Sequence, residues 1–504
     1  MQKEFMSLTI KSMKANKHIF YFLVFLSLSV WFFLPIKYLI HFTSDDSYFY
    51  LKTAWNFSKG MGSTFDGINL TNGYHPLWFL VLSAYYSILN LFGNLSPELI
   101  LKFTFLITAF INLISIYLIY SILKKIDFVK PTTSIFIFYL LIIPFTLFYL
   151  IGLETQIFLV IYLSLIFLLY KDEENNKRSD LLVGILCGLL FLSRIDFGLL
   201  LSASFIIRDL IRTKFRQNFL SLIIFLSFVL IYLIINKIYF GTFSSISSYY
   251  KFSFDVKSNL KFLPLPFSNP IDFSMLFIFI VSGIIYWSFK SKVIDRKSEI
   301  IKVFEISYIV SLLFLLIQIF LNRQGLREWY YSFPIFIAFT LLVTVIDRKR
   351  ILDLFVFLST LMFVVYFTIF RMNYYNHDSA YEFSKKVNAL VKKDETIFQI
   401  DYSGLISFFS DRKIVNGDGL INSYDYYELL KQGRLFNYLD ELNPEYFIFY
   451  TFDKSQKNVR YEFISFHRYL FEFEKDRIVL EYPLVYGGIL RKKYGYFYLV
   501  KYKK

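Results

Sequence analysis

Eleven apolar stretches divide the chain up to Phe370, each long enough to span a lipid bilayer or nearly so. They lie at about His18–Ile40, Leu77–Phe92, Leu99–Leu123, Thr132–Leu150, Thr155–Tyr170, Leu181–Ile207, Phe219–Phe240, Ile271–Phe289, Val303–Leu321, Trp329–Val345 and Ile351–Phe370. A helix needs about 20 apolar residues to cross the hydrocarbon core. In lipid each backbone amide must be bonded within its own element, so a chain of this pattern folds as a bundle of membrane helices. Roughly eleven to thirteen membrane segments are expected, since some runs can be broken pairs. Composition agrees: 18% of the 504 residues are charged, against about 25% in soluble domains. The first run is too long for a cleaved signal peptide and lacks a small-residue cleavage site after it.

The net charge of +15 invites a nucleic-acid reading, but its distribution argues against one. From Met372 to Lys504 there are 20 Lys and Arg against 18 Asp and Glu, so most of the excess lies in short loops between apolar runs. That is the positive-inside pattern of a membrane protein, with no basic face on the soluble part. Basic clusters precede His18 and fall at Lys124–Lys130, Lys171–Arg178, Arg208–Arg216, Lys290–Lys302 and Arg348–Arg350. These loops are expected in the cytoplasm, with loops 41–76, 241–270 and 322–328 and the tail outside an inner (cytoplasmic) membrane. The parity does not close. Two full crossings between Leu77 and Leu123 put Lys124 and Lys125 outside, so one run is re-entrant or the charge rule fails there. Leu181–Ile207, with Arg194 and Asp196 at its middle, suits a hairpin of two short helices with Ser193–Asp196 at its outer tip.

After Arg371 the composition becomes that of a soluble domain, giving a boundary between a multi-span domain (1–371) and an extracytoplasmic domain (372–504). Thr396–Asp401 and Tyr446–Tyr450 read as buried strands, Tyr381–Val391 as an amphipathic helix, and Tyr494–Val500 as a closing strand. A small α/β fold is expected. The single cysteine, Cys187, excludes intramolecular disulfides and Cys-built zinc sites.

Candidate chemistry starts at Ser44-Asp45-Asp46-Ser47-Tyr48. Ser44 can cap a helix whose first turn holds both aspartates, with Tyr48, Leu51 and Trp55 on one face and Gly60 at its end. The plain reading is a well-capped amphipathic helix on the outer surface. An acidic pair beside a bilayer is costly, however, and such groups are commonly functional. His75, in Gly73-Tyr74-His75-Pro76-Leu77-Trp78, stands at the mouth of the next helix, either to contact phosphate or sugar or as part of an aromatic belt. Glu154, the Arg194/Asp196 pair, Lys251, and Arg327 with Tyr330 in Arg327-Glu328-Trp329-Tyr330-Tyr331 lie on the same expected face. Each alone can be structural; together they suit a charged, lipid-borne ligand.

This pattern resembles the GT-C superfamily of membrane glycosyltransferases, which includes protein O-mannosyltransferases, aminoarabinose transferases of lipid A and actinobacterial arabinofuranosyltransferases. The acidic pair after the first helix is their signature. Asp45 through Trp78 is the most specific stretch, and His75-Pro76 is similar to the His-Pro pair of mannosyltransferases. Gly152-Leu153-Glu154-Thr155 and Leu192-Ser193-Arg194-Ile195-Asp196 resemble two further stretches of a bacterial branch, departing at Ile195, where that branch has proline. Asn416-Gly417-Asp418-Gly419-Leu420 looks like a turn in the soluble domains of such proteins. The resemblance implies transfer of a sugar from a polyprenyl-phosphate donor to an envelope glycan, lipid or protein at the outer face, usually with inversion. It makes Asp45 the base and Glu154 an accessory carboxylate, and has Asp46 either orient the base or help hold a divalent cation (Mg2+ or Mn2+). Lys251, Arg194 and Arg327 become candidates for binding the departing phosphate, with His75, Asp196 and Tyr330 around the substrate. The alternative is a transporter or flippase of a lipid-linked oligosaccharide, which predicts internal repeats that the sequence does not show. A non-enzymatic envelope scaffold predicts that Asp45→Asn is silent.

Overall fold

The computed structural model describes residues 32–125, 151–175, 179–212, 219–260, 270–293, 299–345, 377–400, 402–451, 458–462, 479–489 and 496–502. The expected spans Thr132–Leu150 and Ile351–Phe370, most of His18–Ile40 and the boundary between residues 371 and 372 lie outside the described residues. The rest is a helical body carrying a small C-terminal α/β domain. Its helices are α1 (Asp45–Ser58), α2 (Pro76–Asn90), α3 (Pro97–Lys125), α4 (Thr155–Asn175), α5 (Asp180–Ser193), α6 (Ile195–Arg212) and α7 (Phe219–Phe240). There follow α8 (Ile246–Lys251), α9 (Pro270–Val293), α10 (Glu299–Leu321) and α11 (Glu328–Val345). Among the described residues, five stretches are long and apolar enough to cross a membrane: Pro97–Leu123, Phe219–Phe240, Asp272–Lys290, Ile300–Leu321 and Glu328–Val345.

Helix α1 starts as its sequence dictates. The Ser44 hydroxyl accepts the Ser47 amide at 3.2 Å while the Ser47 hydroxyl accepts the Ser44 amide, a reciprocal cap that satisfies two otherwise orphaned donors. Gly60, at φ +80°, ends it. The helix does not lie on the surface as its amphipathic pattern suggested. It is buried from Ser47 through Asn56, because the C-terminal domain covers the Tyr48 and Trp55 face while Phe49 and Tyr50 are buried against Phe65 and Glu154 of the helical body.

The run Leu77–Phe92 bears on the parity left open before Lys124. It forms α2, whose start meets the first half of α1, where the His75 amide donates to the Tyr50 hydroxyl (3.1 Å). Its end meets the last turn of α1, where the Asn90 amide donates to the Ser58 hydroxyl (2.9 Å). Helix α1 in turn packs on the C-terminal domain, and that domain also reaches the first turn of α3, where Tyr381 donates to Glu98 (3.2 Å). Both ends of α2 are therefore held beside α1, on the side of the C-terminal domain. An α2 lying flat would leave one crossing between Leu77 and Lys124, as the basic-loop rule requires.

The hairpin expected around Arg194 is present. Helices α5 and α6 fold back on one another, with the Ser202 hydroxyl donating to the Cys187 carbonyl (2.8 Å) and Arg194 extended at the tip. The outer loops converge as well. The Asn72 side chain donates to the Ser244 carbonyl (3.0 Å) and accepts the Ile246 amide (2.8 Å), and the Arg323 amide donates to the Lys251 carbonyl (2.8 Å).

The C-terminal domain holds helices α12 (His377–Leu390), α13 (Ser403–Ser410), α14 (Tyr424–Lys431) and α15 (Leu435–Leu442). Its strands are β1 (Thr396–Gln399), β2 (Lys413–Asn416), β3 (Tyr446–Thr451), β4 (Asn458–Glu462), β5 (Val479–Ile489) and β6 (Tyr496–Lys501). They form one sheet in the order β2-β1-β3-β6-β5-β4, parallel from β2 to β3 and antiparallel beyond. The expected helix and strands appear within a few residues of their sequence bounds. The domain docks through α13, on which Tyr48 and Trp55 of α1 lay their rings against Phe408 (centroids 5.3 and 5.7 Å).

Candidate active site

All nine residues singled out from the sequence line two adjoining cavities where α1, the α5–α6 tip, α8, the 322–328 loop and the C-terminal domain meet. The larger, about 300 Å³, takes Asp46, His75, Glu154, Arg194, Asp196, Lys251 and Tyr330. The smaller, about 240 Å³, takes Asp45 and Arg327. Asp46, Lys251, Asn322, Trp329, Tyr330 and Leu420 line both, and so form the partition between them.

The floor of the larger cavity is a connected polar network. Glu154 (4% exposed) is held by the Tyr50 hydroxyl, which donates to it at 3.0 Å, and faces His75 at 3.7 Å and Arg194 at 3.9 Å. It is presented by a turn that needs glycine at position 152. Gly152 has φ +91°, and a Cβ there would stand 2.9 Å from Cβ of Ser47 in α1, while its carbonyl accepts the Trp78 indole N–H (2.8 Å). Arg194 (2% exposed) reaches Asp196 at 3.4 Å and lies over the Tyr330 ring, 5.1 Å from its centroid. Gln318 donates to Asp196 at 3.2 Å. Arg194 is thus matched by two carboxylates inside the site, the pairing that a buried guanidinium requires.

Electrostatics sort the remaining groups. Burial pulls the His75 imidazole below its usual value, against the opposing pull of Glu154 and Asp196, so the ring is neutral at pH 7. Its Nδ1 lies 3.2 Å from the Ile195 amide and must accept that proton, which places the ring's own proton on Nε2, toward Glu154. Burial disfavours the Lys251 ammonium, yet Tyr330 and Asp46 more than compensate and the net shift is upward. Lys251 is therefore a cation, and it shares the partition with Asp46. The two aspartates differ sharply. Both oxygens of Asp45 accept backbone amides at the start of α13, from Gly404 (3.1 Å) and Leu405 (2.7 Å). Asp46 carries no such bond to the docked domain and borders both cavities.

Sequence reasoning missed Tyr50, Gln318, Tyr402 and Leu420. Tyr50 stands four residues after Asp46, one helical turn along the same face, and Gln318 is a polar residue inside an apolar run; both signals were present. Leu420 ends the Asn416–Gly419 turn. Tyr402 has no local signal. Among the described residues, no group of three or more His, Cys, Asp or Glu converges as a metal-binding cluster.

A multi-span helical body with its charged cleft under a C-terminal α/β domain is similar in fold to a solved membrane-enzyme structure. The crystal structure of ArnT from Cupriavidus metallidurans bound to undecaprenyl phosphate superposes with a TM-score of 0.58 at 10% identity, over 95% of this chain and 97% of that one. No family model matches the sequence, and no curated protein matches it.

Proposed function

We propose that the chain is a membrane glycosyltransferase that moves a sugar from a polyprenyl-phosphate donor to an envelope acceptor, with inversion. The observation that carries this reading is the partition between the cavities, which a carboxylate, Asp46, and a cation, Lys251, both line. The larger cavity suits the donor. Leu199, Ile317 and Leu321 give it an apolar wall for an isoprenoid chain, and Lys251 with Arg194 gives it cations for a phosphate. In the reaction the acceptor hydroxyl oxygen forms a bond to the anomeric carbon, and the bond from that carbon to the phosphate oxygen breaks. The electron pair leaves with the polyprenyl phosphate, stabilised by Lys251 and, from the far side, Arg327. The hydroxyl proton passes to a carboxylate, which also steadies the oxocarbenium-like centre.

The resemblance assigned that carboxylate to Asp45. The geometry favours Asp46. Both oxygens of Asp45 are taken up by backbone amides, whereas Asp46 borders both cavities and is open to an acceptor hydroxyl. Asp45 then holds the C-terminal domain in place, and Glu154 positions His75 and Arg194. A resident divalent cation fits these residues poorly: Asp46 already shares the partition with the Lys251 ammonium, and its neighbour Asp45 is committed to backbone amides.

The test is a mass profile of envelope glycolipids, glycans and glycoproteins from the parent strain, a deletion, and the deletion carrying the intact gene or a variant. Loss of one sugar that returns with the intact gene and not with Asp46→Asn supports transfer. In vesicles, Lys251→Ala removes one charge-assisted contact of about 1.5–3 kcal/mol and should raise the donor KM by roughly 10- to 100-fold, leaving the acceptor KM alone. An unchanged donor dependence removes Lys251 from the site. A finished glycan accumulating on its carrier lipid would instead favour the flippase.

A further inference from the structure

The smaller cavity has a wall from the C-terminal domain that was not among the candidate site residues. The C-terminal domain turns toward the membrane domain the carboxyl ends of two adjacent parallel strands, β1 and β2. In open α/β sheets, ligands bind in the crevice outside those strand ends. Tyr402, just after β1, and Leu420, just after β2, both line the cavity. Tyr402 is held at φ +57°, ψ +24°, a left-handed conformation that costs free energy for any residue but glycine. Such strain in a non-glycine residue at a cavity wall is a mark of function. The Tyr402 ring is braced edge-on against Phe497, with centroids 5.6 Å apart.

We infer that this cavity is the acceptor subsite, that it takes a saccharide, and that Tyr402 positions the acceptor ring so that one of its hydroxyls faces Asp46. This rests on the transferase reading above and adds the acceptor's chemical class to it. Three aromatic side chains, Trp329, Tyr330 and Tyr402, and two amides, Asn322 and Gln324, line it. Flat aromatic faces suit the C–H faces of a sugar ring, and amides and carboxylates suit its hydroxyls, which both donate and accept. The volume of about 240 Å³ falls below the range of about 300–1,000 Å³ usual for ligand pockets. It has room for about one ring-sized polar group.

The experiment exploits the single native cysteine. Cys187 is buried in α5, so an introduced cysteine is the one that a maleimide reaches. Full-length protein in nanodiscs carries Tyr402→Cys or Gln324→Cys in the smaller cavity, or Ser247→Cys, which lines only the larger. Labelling rates are measured with undecaprenyl phosphate, with oligosaccharides released from the source envelope by mild acid, and with a Ser/Thr-rich peptide. The oligosaccharides should slow labelling at 402 and 324 about fivefold once present at about four times their Kd, and leave 247 unaffected. Undecaprenyl phosphate should protect 247. Protection of 402 and 324 by the peptide, or by no saccharide at all, overturns the acceptor assignment. Failure of undecaprenyl phosphate to protect 247 strikes the donor reading instead, and the two failures are told apart by which cysteine responds. Position 324 lies on a separate loop, so the test survives if Tyr402→Cys does not fold.

Discussion

Two neighbouring aspartates with nearly the same sequence context have been given different work by a single docked helix. Asp45 meets the exposed amides at the start of α13, where a carboxylate is worth about 0.3–1 kcal/mol through the helix dipole. Asp45→Asn keeps one oxygen for those amides but loses the charge and the second acceptor, so docking should weaken by about 1–3 kcal/mol and transfer should fall by about tenfold. Asp46→Asn should cost about 10²–10⁴-fold, the range of a lost general base. Purified variants assayed for transfer at equal folded concentration decide the matter, and a larger loss at Asp45 would return the base to that residue. His75 adds a pH signature. Its folded value lies below the ordinary 6.5, so as the pH falls the unfolded chain takes up the proton first. Whatever His75 contributes is complete above about pH 6.5 and is lost as the pH falls through its depressed value. Protonation also ends the acceptance of the Ile195 amide, loosening the tip that carries Arg194 and Asp196. Transfer should show an acid limb below pH 6.5 that His75→Asn, whose side-chain oxygen still accepts, flattens; an identical limb in the variant would assign it to another group.

At the scale of elements, α1 and α13 form the hinge of the design, since one carries the aspartates and the other closes over them. Their approach is close enough to restrict residue type. A Cβ on Gly404 would stand 2.3 Å from the Asp45 carbonyl oxygen, which is backbone and cannot step aside. At the far end of α13, Lys52 reaches Asp411 at 3.3 Å, and burial still holds the ammonium below its usual value despite that partner. Gly404→Ala should therefore cost about 1–3 kcal/mol of docking through overpacking. It should appear as earlier proteolytic nicking between the two domains, with both cavities opened and transfer reduced. A variant as protease-resistant as the parent would mean that the interface is looser than this contact implies. These elements also show what could be read in advance. Charged residues in apolar surroundings are rare enough that each one noticed in the sequence reached the site. The strands of the C-terminal domain showed through their β-branched and aromatic runs. Tyr402 and Leu420 did not show, because they become part of the site only when a separate domain docks, and docking leaves no periodicity in either partner. The burial of α1 on its Tyr48 and Trp55 face was hidden for the same reason.

At the scale of the whole molecule, the site depends on which helices cross. Helix α2 has 15 residues, which at about 1.5 Å each span about 22 Å, short of a hydrocarbon core of about 30 Å. Its exposed residues include Leu80 and Ile88, with Leu91 and Phe92 just beyond. This apolar face suits a helix lying in the interface plane better than a span. The sequence could not separate the two, because a helix flat on lipid and a short span are equally apolar along one side. With α2 flat, α1, α2 and the start of α3 share one side with the C-terminal domain, and α3 alone carries the chain from there to Lys124. The consequence is measurable with the single-cysteine background. Asn94→Cys, in the exposed turn between α2 and α3, and Lys413→Cys, on the exposed start of β2, should both label with a membrane-impermeant maleimide added to intact cells. Lys124→Cys should label only after permeabilisation. If Asn94→Cys and Lys413→Cys label from opposite sides, α2 crosses the bilayer, and the path from the acidic pair to the first full span would have to be redrawn. If all three follow the expected pattern, Asp46 and the donor cavity lie at the same face as the C-terminal domain, where a lipid-borne sugar and its acceptor can meet.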